Sequence, residues 1–143
     1  MTLTVNQIGD NPQQPGIYAE TFIPDQLIAG NLKLVTGNGT LDAGTLQRGA
    51  VLGQITTTGH YILSVKTASD GSQVPSAILV DYADASAGPI NVGFYLMGEF
   101  NQNAILPDAS WGANAAAWTP LLSAPLRDGG IFLKPSVSAA DPT

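Results

Sequence analysis

The clearest regularity in the chain is PINVGFYLMGEF, residues 89–100, where positions alternate with period 2. Ile90, Val92, Phe94 and Leu96 share one face, and Asn91, Tyr95, Met97 and Glu99 share the other. That alternation predicts a strand. A second pattern, GAVLGQITTTGHYILSVKT at 49–67, predicts a hairpin. There Val51, Gly53 and Ile55 alternate with Leu52 and Gln54, Thr58-Gly59 turns the chain, and Tyr61, Leu63 and Val65 alternate on the return. The apolar run Ala77-Ile78-Leu79-Val80 predicts a strand around 76–81. Leu32, Leu34 and Val35 lead into TGNGT at 36–40, where Asn38-Gly39 reads as a tight turn.

Toward the C-terminus the period lengthens. Ser110 is a candidate cap for a short helix through WGANAAAW, residues 111–118, whose alanines favour helix. Thr119-Pro120 is a second start signal. Leu121, Leu122 and Leu126 are expected on one face, Pro125 is expected to bend or shorten the helix, and Gly129-Gly130 to end it. Ile131–Lys134 reads as a last strand before a loose tail at 138–143. The N-terminal residues, 1 to about 25, form an arm instead. GDNPQQPG at 9–16 has neither period, yet Ile17, Tyr18, Phe22 and Ile23 are too apolar for an idle tail. Such a segment either orders on a partner or folds back on its own domain. The fold expected is mainly β with a short C-terminal helix: a compact β-barrel or β-tulip-like domain over 26–137 behind a flexible arm.

Composition narrows the partners. Only 11% of the 143 residues are charged, against roughly 25% in ordinary soluble domains, which suggests surface covered by a partner. Eleven acidic against five basic residues give a net charge of −6. That balance opposes nucleic acid and anionic membranes, both of which are gripped by Lys and Arg. No apolar run reaches the roughly 18 residues of a membrane span, and MTLTVNQIGD lacks the features of an export signal. The expectation is a soluble protein made in the cytoplasm.

Candidate chemistry is sparse. There is no cysteine, so thiolate nucleophiles, thiolate metal sites and disulfides are excluded. Asp70, Asp81 and Asp84 flank the 77–80 run and pose the question of a metal or proton-transfer site. Their spacing matches no calcium loop or zinc motif, and turn capping is the simpler reading. The single histidine, His60, follows the Thr58-Gly59 turn without a nucleophile elbow. Asn38-Gly39-Thr40 matches a glycosylation sequon, an accidental match in a chain without an export signal. Glu99 ends a strand with no carboxylate partner nearby in sequence, and reads as solvated or subunit-facing. No catalytic residue, metal site, cofactor or small-molecule substrate is expected.

Four motifs in order do carry a resemblance. They are Arg48-Gly49-Ala50-Val51-Leu52-Gly53-Gln54-Ile55, Ser69-Asp70-Gly71-Ser72-Gln73 before the apolar strand, Gly98-Glu99-Phe100-Asn101, and Leu126-Arg127 followed by Gly130-Ile131-Phe132. Together, over roughly residues 45–137, they resemble the lambda-like head decoration proteins of tailed bacteriophages, with 105–120 longer and richer in tryptophan than that pattern. The resemblance implies a homotrimer on the outer surface of the expanded virion capsid, at threefold sites. There it would bind the major capsid protein and stabilise the shell against packaged DNA. The arm would be disordered when free and order on the capsid. A competing reading is a carbohydrate- or peptide-binding module of a phage tail fibre, with Trp111, Trp118, Tyr61 and Tyr82 as a stacking platform. A third is a small hydrolase built from His60 with Asp70, Asp81 or Asp84.

Overall fold

The computed structural model describes residues 25–135. Ile17, Tyr18, Phe22 and Ile23 of the expected arm, and the expected tail, lie outside the described residues. The strands are β1 (Val35–Leu41), β2 (Thr45–Leu46), β3 (Val51–Gln54), β4 (Tyr61–Leu63), β5 (Pro75–Leu79), β6 (Ala83–Asp84), β7 (Ile90–Asn101) and β8 (Ile131–Lys134). A 3-10 turn (Ala109–Trp111) and helix α1 (Ala115–Asp128) lie between β7 and β8. The fold is mainly β with one short C-terminal helix, as the periodicities require.

Hydrogen bonding runs β1-β4-β3-β5-β7, and β7 pairs back with β1, so five strands close into a barrel. Closure depends on β7, whose twelve residues meet β1 from Ile90 to Met97 and still extend beyond it. At the far end β8 joins β7 in parallel, from Gly98↔Ile131 to Asn101↔Lys134. β2 and β6 form a separate two-stranded ribbon.

The barrel wall has a core on each side. Leu52 of β3, Ala77 and Leu79 of β5, and Val92 and Phe94 of β7 point into the barrel. Their neighbours Val51, Ile78 and Tyr95 point the other way, into a layer that α1 covers with Leu122 and Leu126. Burial on both faces explains why Ala77–Leu79 reads as an unbroken apolar run. The expected face of Ile90, Val92, Phe94 and Leu96 is found inside the barrel. Beyond Leu96 the alternation inverts, because a register shift between Val35 and Thr36 places Tyr95 and Met97 opposite consecutive β1 residues. Phe100 therefore joins Tyr95 in the helix-side layer, with ring centroids 5.3 Å apart. An extra residue in one strand has this effect on facing.

Local expectations are corrected in β1 and in α1. Asn38-Gly39 is not a turn but the middle of β1, opposite Gly93 and Val92. Glycine is used there for space: a Cβ on Gly39 would stand 2.9 Å from the Phe94 ring and 3.2 Å from the Tyr61 ring. The helix begins neither at Ser110 nor at Thr119. Asp108 caps the 3-10 turn, and Asn114 caps α1 by accepting from the Ala117 N–H at 3.1 Å. The helix also runs through Pro120 and Pro125 without ending. The carbonyls that lose their partners belong to Ala116 and Leu121, both exposed, so water can serve them. Leu121 is 41% exposed and faces away from the fully buried Leu122 and Leu126. The inward stripe is thus Trp118, Leu122 and Leu126, at helical i, i+4, i+8 spacing. Gly130, at φ +89°, then turns the chain into β8.

Candidate functional site

The three aspartates do not converge. Asp70 accepts from the Ser72 hydroxyl at 2.6 Å and the Ser72 N–H at 3.0 Å. These bonds, the hydroxyl's first, hold its pKa below the usual carboxylate value. Asp81 accepts from the Tyr82 N–H at 2.8 Å. Asp84 bonds the Ser86 N–H and the Thr45 hydroxyl, each at 3.0 Å, and its pKa is lowered chiefly by Ser86. Asp70 and Asp81 are thus occupied by their own turns, and Asp84, at the end of β6, by the turn after it and by its β2 partner. His60 instead meets Asp42, Nδ1 to Oδ1 2.8 Å, which ties the ends of β4 and β1. Among the described residues no group of three or more His, Cys, Asp or Glu is placed to hold a metal ion.

The aromatic platform is dispersed as well. Trp111 is buried and donates its indole N–H to the Ser64 carbonyl at 2.9 Å. Trp118 packs against the helix-side core, and Tyr61 lies on Phe94 at 4.3 Å between centroids. Tyr82 alone of the four is exposed, on the wall of an open cleft of about 290 Å³ between the β5–β6 turn and the start of β7. A sugar-stacking surface made by these four residues is not formed.

What the fold does bring together are the motif residues, at two places. One is a lock beneath β3. A Cβ on Gly53 would overlap the Ser72 backbone, and one on Gly71, at φ +105°, would overlap the Thr56 hydroxyl. Buried Ser72 offers its carbonyl to the Ser64 hydroxyl at 2.8 Å. Asp70 holds that turn, so Gly53, Asp70, Gly71 and Ser72 form one structural unit.

The second place is a strap, residues 25–34, laid along β7 where the described chain begins. Arg48 donates one guanidinium nitrogen to Asp25 and another to the Val80 carbonyl, at 2.5 and 2.6 Å. Asn101 donates its N–H to the Leu27 carbonyl at 2.8 Å, and Ile28 bridges antiparallel to Phe100. Leu27, Ile28 and Leu34 pack into the helix-side core with Phe100. Gly49 and Gly98 keep the approach clear, since added Cβ atoms would stand 2.8 Å from the Ala104 carbonyl and 2.5 Å from the Leu34 side chain. Glu99 is gripped between strap and β8: it pairs with Lys134 Nζ at 2.5 Å and accepts the Leu32 N–H at 3.1 Å. Lys134 first, then Leu32, lowers its pKa. Arg48, Gly49, Gly98, Glu99, Phe100 and Asn101, from two motifs about fifty residues apart, thus serve one strap.

The remaining motif residues divide. Leu126 of α1 and Ile131 of β8 are buried in the helix-side core, whereas Arg127 and Phe132 are exposed. Sequence reasoning left Glu99 solvated or facing a subunit, and it missed Asp25, Leu27, Gly30 and Lys134 as strap partners. No local signal links Glu99 to Lys134, because their meeting depends on the parallel β7–β8 register.

A closed barrel whose polar residues secure turns and a strap along β7 defines a class: a β-barrel domain whose polar groups serve its own architecture. The family follows from comparison with known proteins. Residues 17–124 match the model of bacteriophage lambda head decoration protein D, and the chain belongs to that family. No curated protein matches it. Membership assigns a structural role on the phage capsid rather than a catalytic one. No described helix is long and apolar enough to cross a membrane.

Proposed function

We propose that the chain binds as a homotrimer to the outer surface of the expanded phage head, at threefold sites. There it clamps the major capsid protein and stabilises the shell against the pressure of packaged DNA. The observation that carries this reading is the extent of the family match, which begins at residue 17 and so takes in Ile17, Tyr18, Phe22 and Ile23 with the barrel. In this reading those four residues belong to the capsid-gripping arm, residues 1–25. The net charge of −6 favours the outer face over the DNA-lined interior. The protein is made in the host cytoplasm and needs no nucleic acid, membrane or small-molecule partner.

The chemistry of such a protein is mass action. A ligand that binds only the expanded shell stabilises it by about 2.7 kcal/mol per site at 100 times Kd. An arm can contribute main-chain hydrogen bonds by adding a strand to its partner. Sedimentation of the full chain with expanded and unexpanded heads tests the reading: binding to expanded heads alone is expected, and absence of binding to both overturns it. Deletion of residues 1–25 is expected to abolish binding while the domain stays folded by circular dichroism. Sedimentation equilibrium of the free protein checks for a trimer.

A further inference from the structure

We infer that Glu99 is a positioning residue for the N-terminal segment: seated against Gly30, it sets where and in which direction the chain leaves the barrel at Asp25. The consequence for attachment rests on the reading that the segment before residue 25 grips the capsid.

Glu99 holds the strap in two ways. Its backbone carbonyl accepts the Ala29 N–H at 3.0 Å, and its carboxylate accepts the Leu32 N–H at 3.1 Å. The side chain therefore reaches under residues 30–32, and a Cβ on Gly30 would overlap the carboxylate. A residue larger than glycine at position 30 must expel Glu99 or lift the strap. Lys134 of β8 secures the other carboxylate oxygen, so the side chain that holds the strap is itself anchored. Exposure separates the two partners of that ion pair: the Lys134 side chain is 47% exposed and the Glu99 side chain 19%. The covered carboxylate, with its backbone donor, is thus the element specific to this site, and the lysine is an accessory.

Arg48 with Asp25 holds the strap's outer end, and Asn101 with Leu27 holds the stretch between. A strap held at these points fixes the position of Asp25, to which the preceding segment is joined. An arm that starts from a fixed root loses less conformational freedom on docking than one that starts from a loose ten-residue tether, and preorganisation of this kind raises affinity. Glu99 would act on capsid binding without touching the capsid.

The test uses the full-length chain and three readouts: affinity for expanded heads stripped of decoration protein, cleavage within residues 25–34 by limited proteolysis with mass mapping, and thermal melting. Glu99→Ala and Gly30→Ala are expected to speed cleavage inside 25–34 and to weaken head binding roughly tenfold. Glu99→Gln, which keeps the shape and one acceptor, is expected to fall between them and the wild type. Lys134→Met is expected to change affinity by less than about threefold, because the lysine end of the pair is open to solvent. Arg127→Ala, at the exposed end of α1, serves as a control and is expected to change nothing. Unchanged strap cleavage in Glu99→Ala overturns the inference. So does cleavage that rises equally across the whole domain, since the residue would then be merely structural. If the wild type itself fails to bind heads, the capsid reading falls alone, and the proteolysis pattern still decides the role of Glu99.

Discussion

The two faces of the barrel wall bury different kinds of residue to different ends. Inside lie mainly small and aliphatic side chains, including Ala50, Leu52, Ala77, Leu79 and Val92, with Phe94 as the largest buried member. Outside, under α1, lie Tyr95, Phe100, Ile105, Trp111, Leu122 and Leu126. The interior is enclosed by strands that bond to one another, so its content is set by the barrel's radius. The outer layer is assembled from pieces distant in sequence, and the strap contributes Leu27 and Ile28 to it. The root of the N-terminal segment is therefore coupled to the helix-side core and only indirectly to the barrel interior.

Paired core truncations test that division with the largest expected effect. Phe100→Ala and Leu52→Ala each remove a fully buried side chain, and costs of about 3–5 and 2–5 kcal/mol respectively are expected from denaturant unfolding. Only Phe100→Ala should also expose residues 25–34 to protease under native conditions. Equal strap exposure in both variants would break the comparison. Gly39→Ala should come next, at about 1–3 kcal/mol, by crowding Phe94 and Tyr61 inside the barrel while sparing the strap.

Acid should weaken both faces. Asp70, Asp84, Asp108 and Glu99 have folded-state pKa values lowered by hydrogen-bond donors, with Lys134 acting on Glu99 and Ser110 on Asp108. A carboxylate of this kind stabilises the fold above its ordinary value, 3.8 for Asp or 4.5 for Glu, and that contribution is lost as pH falls through the lowered folded value. Melting temperature should accordingly be flat from neutrality to about pH 5 and drop below pH 4, with Glu99→Gln blunting the drop. The smallest effect is expected from Asp25→Asn. Its ion pair with Arg48 is exposed at 48% and 37% of the two side chains, so less than about 1 kcal/mol should be lost in thermal unfolding.

The parts of the fold legible in the sequence are those whose causes are local. The β3–β4 hairpin announces itself through alternation and Gly59, which adopts φ +73°. The strands β5, β7 and β8 follow from apolar runs bounded by turn residues. Asn38-Gly39 misled because glycine serves two physical purposes, and here the rings of Phe94 and Tyr61 needed room. The start of the helix was missed because Pro120 and Pro125 weaken local propensity, while burial of Trp118, Leu122 and Leu126 compensates; its end at Gly129-Gly130 was legible. A barrel was expected, but that β1 and β7 close it was beyond reach, since register across fifty residues leaves no periodic trace. Of the strap, the sequence displayed Arg48 and Glu99 as motif members but concealed what they hold.

The two prolines in α1 bear also on the order of folding. A helix interrupted at two places by a residue about 3 kcal/mol less favourable than alanine gains little stability on its own. It has to condense onto a surface built by other elements, and that surface is the outer face of β5 together with β8. The transition state for folding should therefore contain the barrel wall and lack the helix. In stopped-flow experiments Leu126→Ala should accelerate unfolding and leave the folding rate nearly unchanged, whereas Leu79→Ala should slow folding. The strap, whose apolar residues share the layer beneath the helix, would then be the last part to settle and the first to come away.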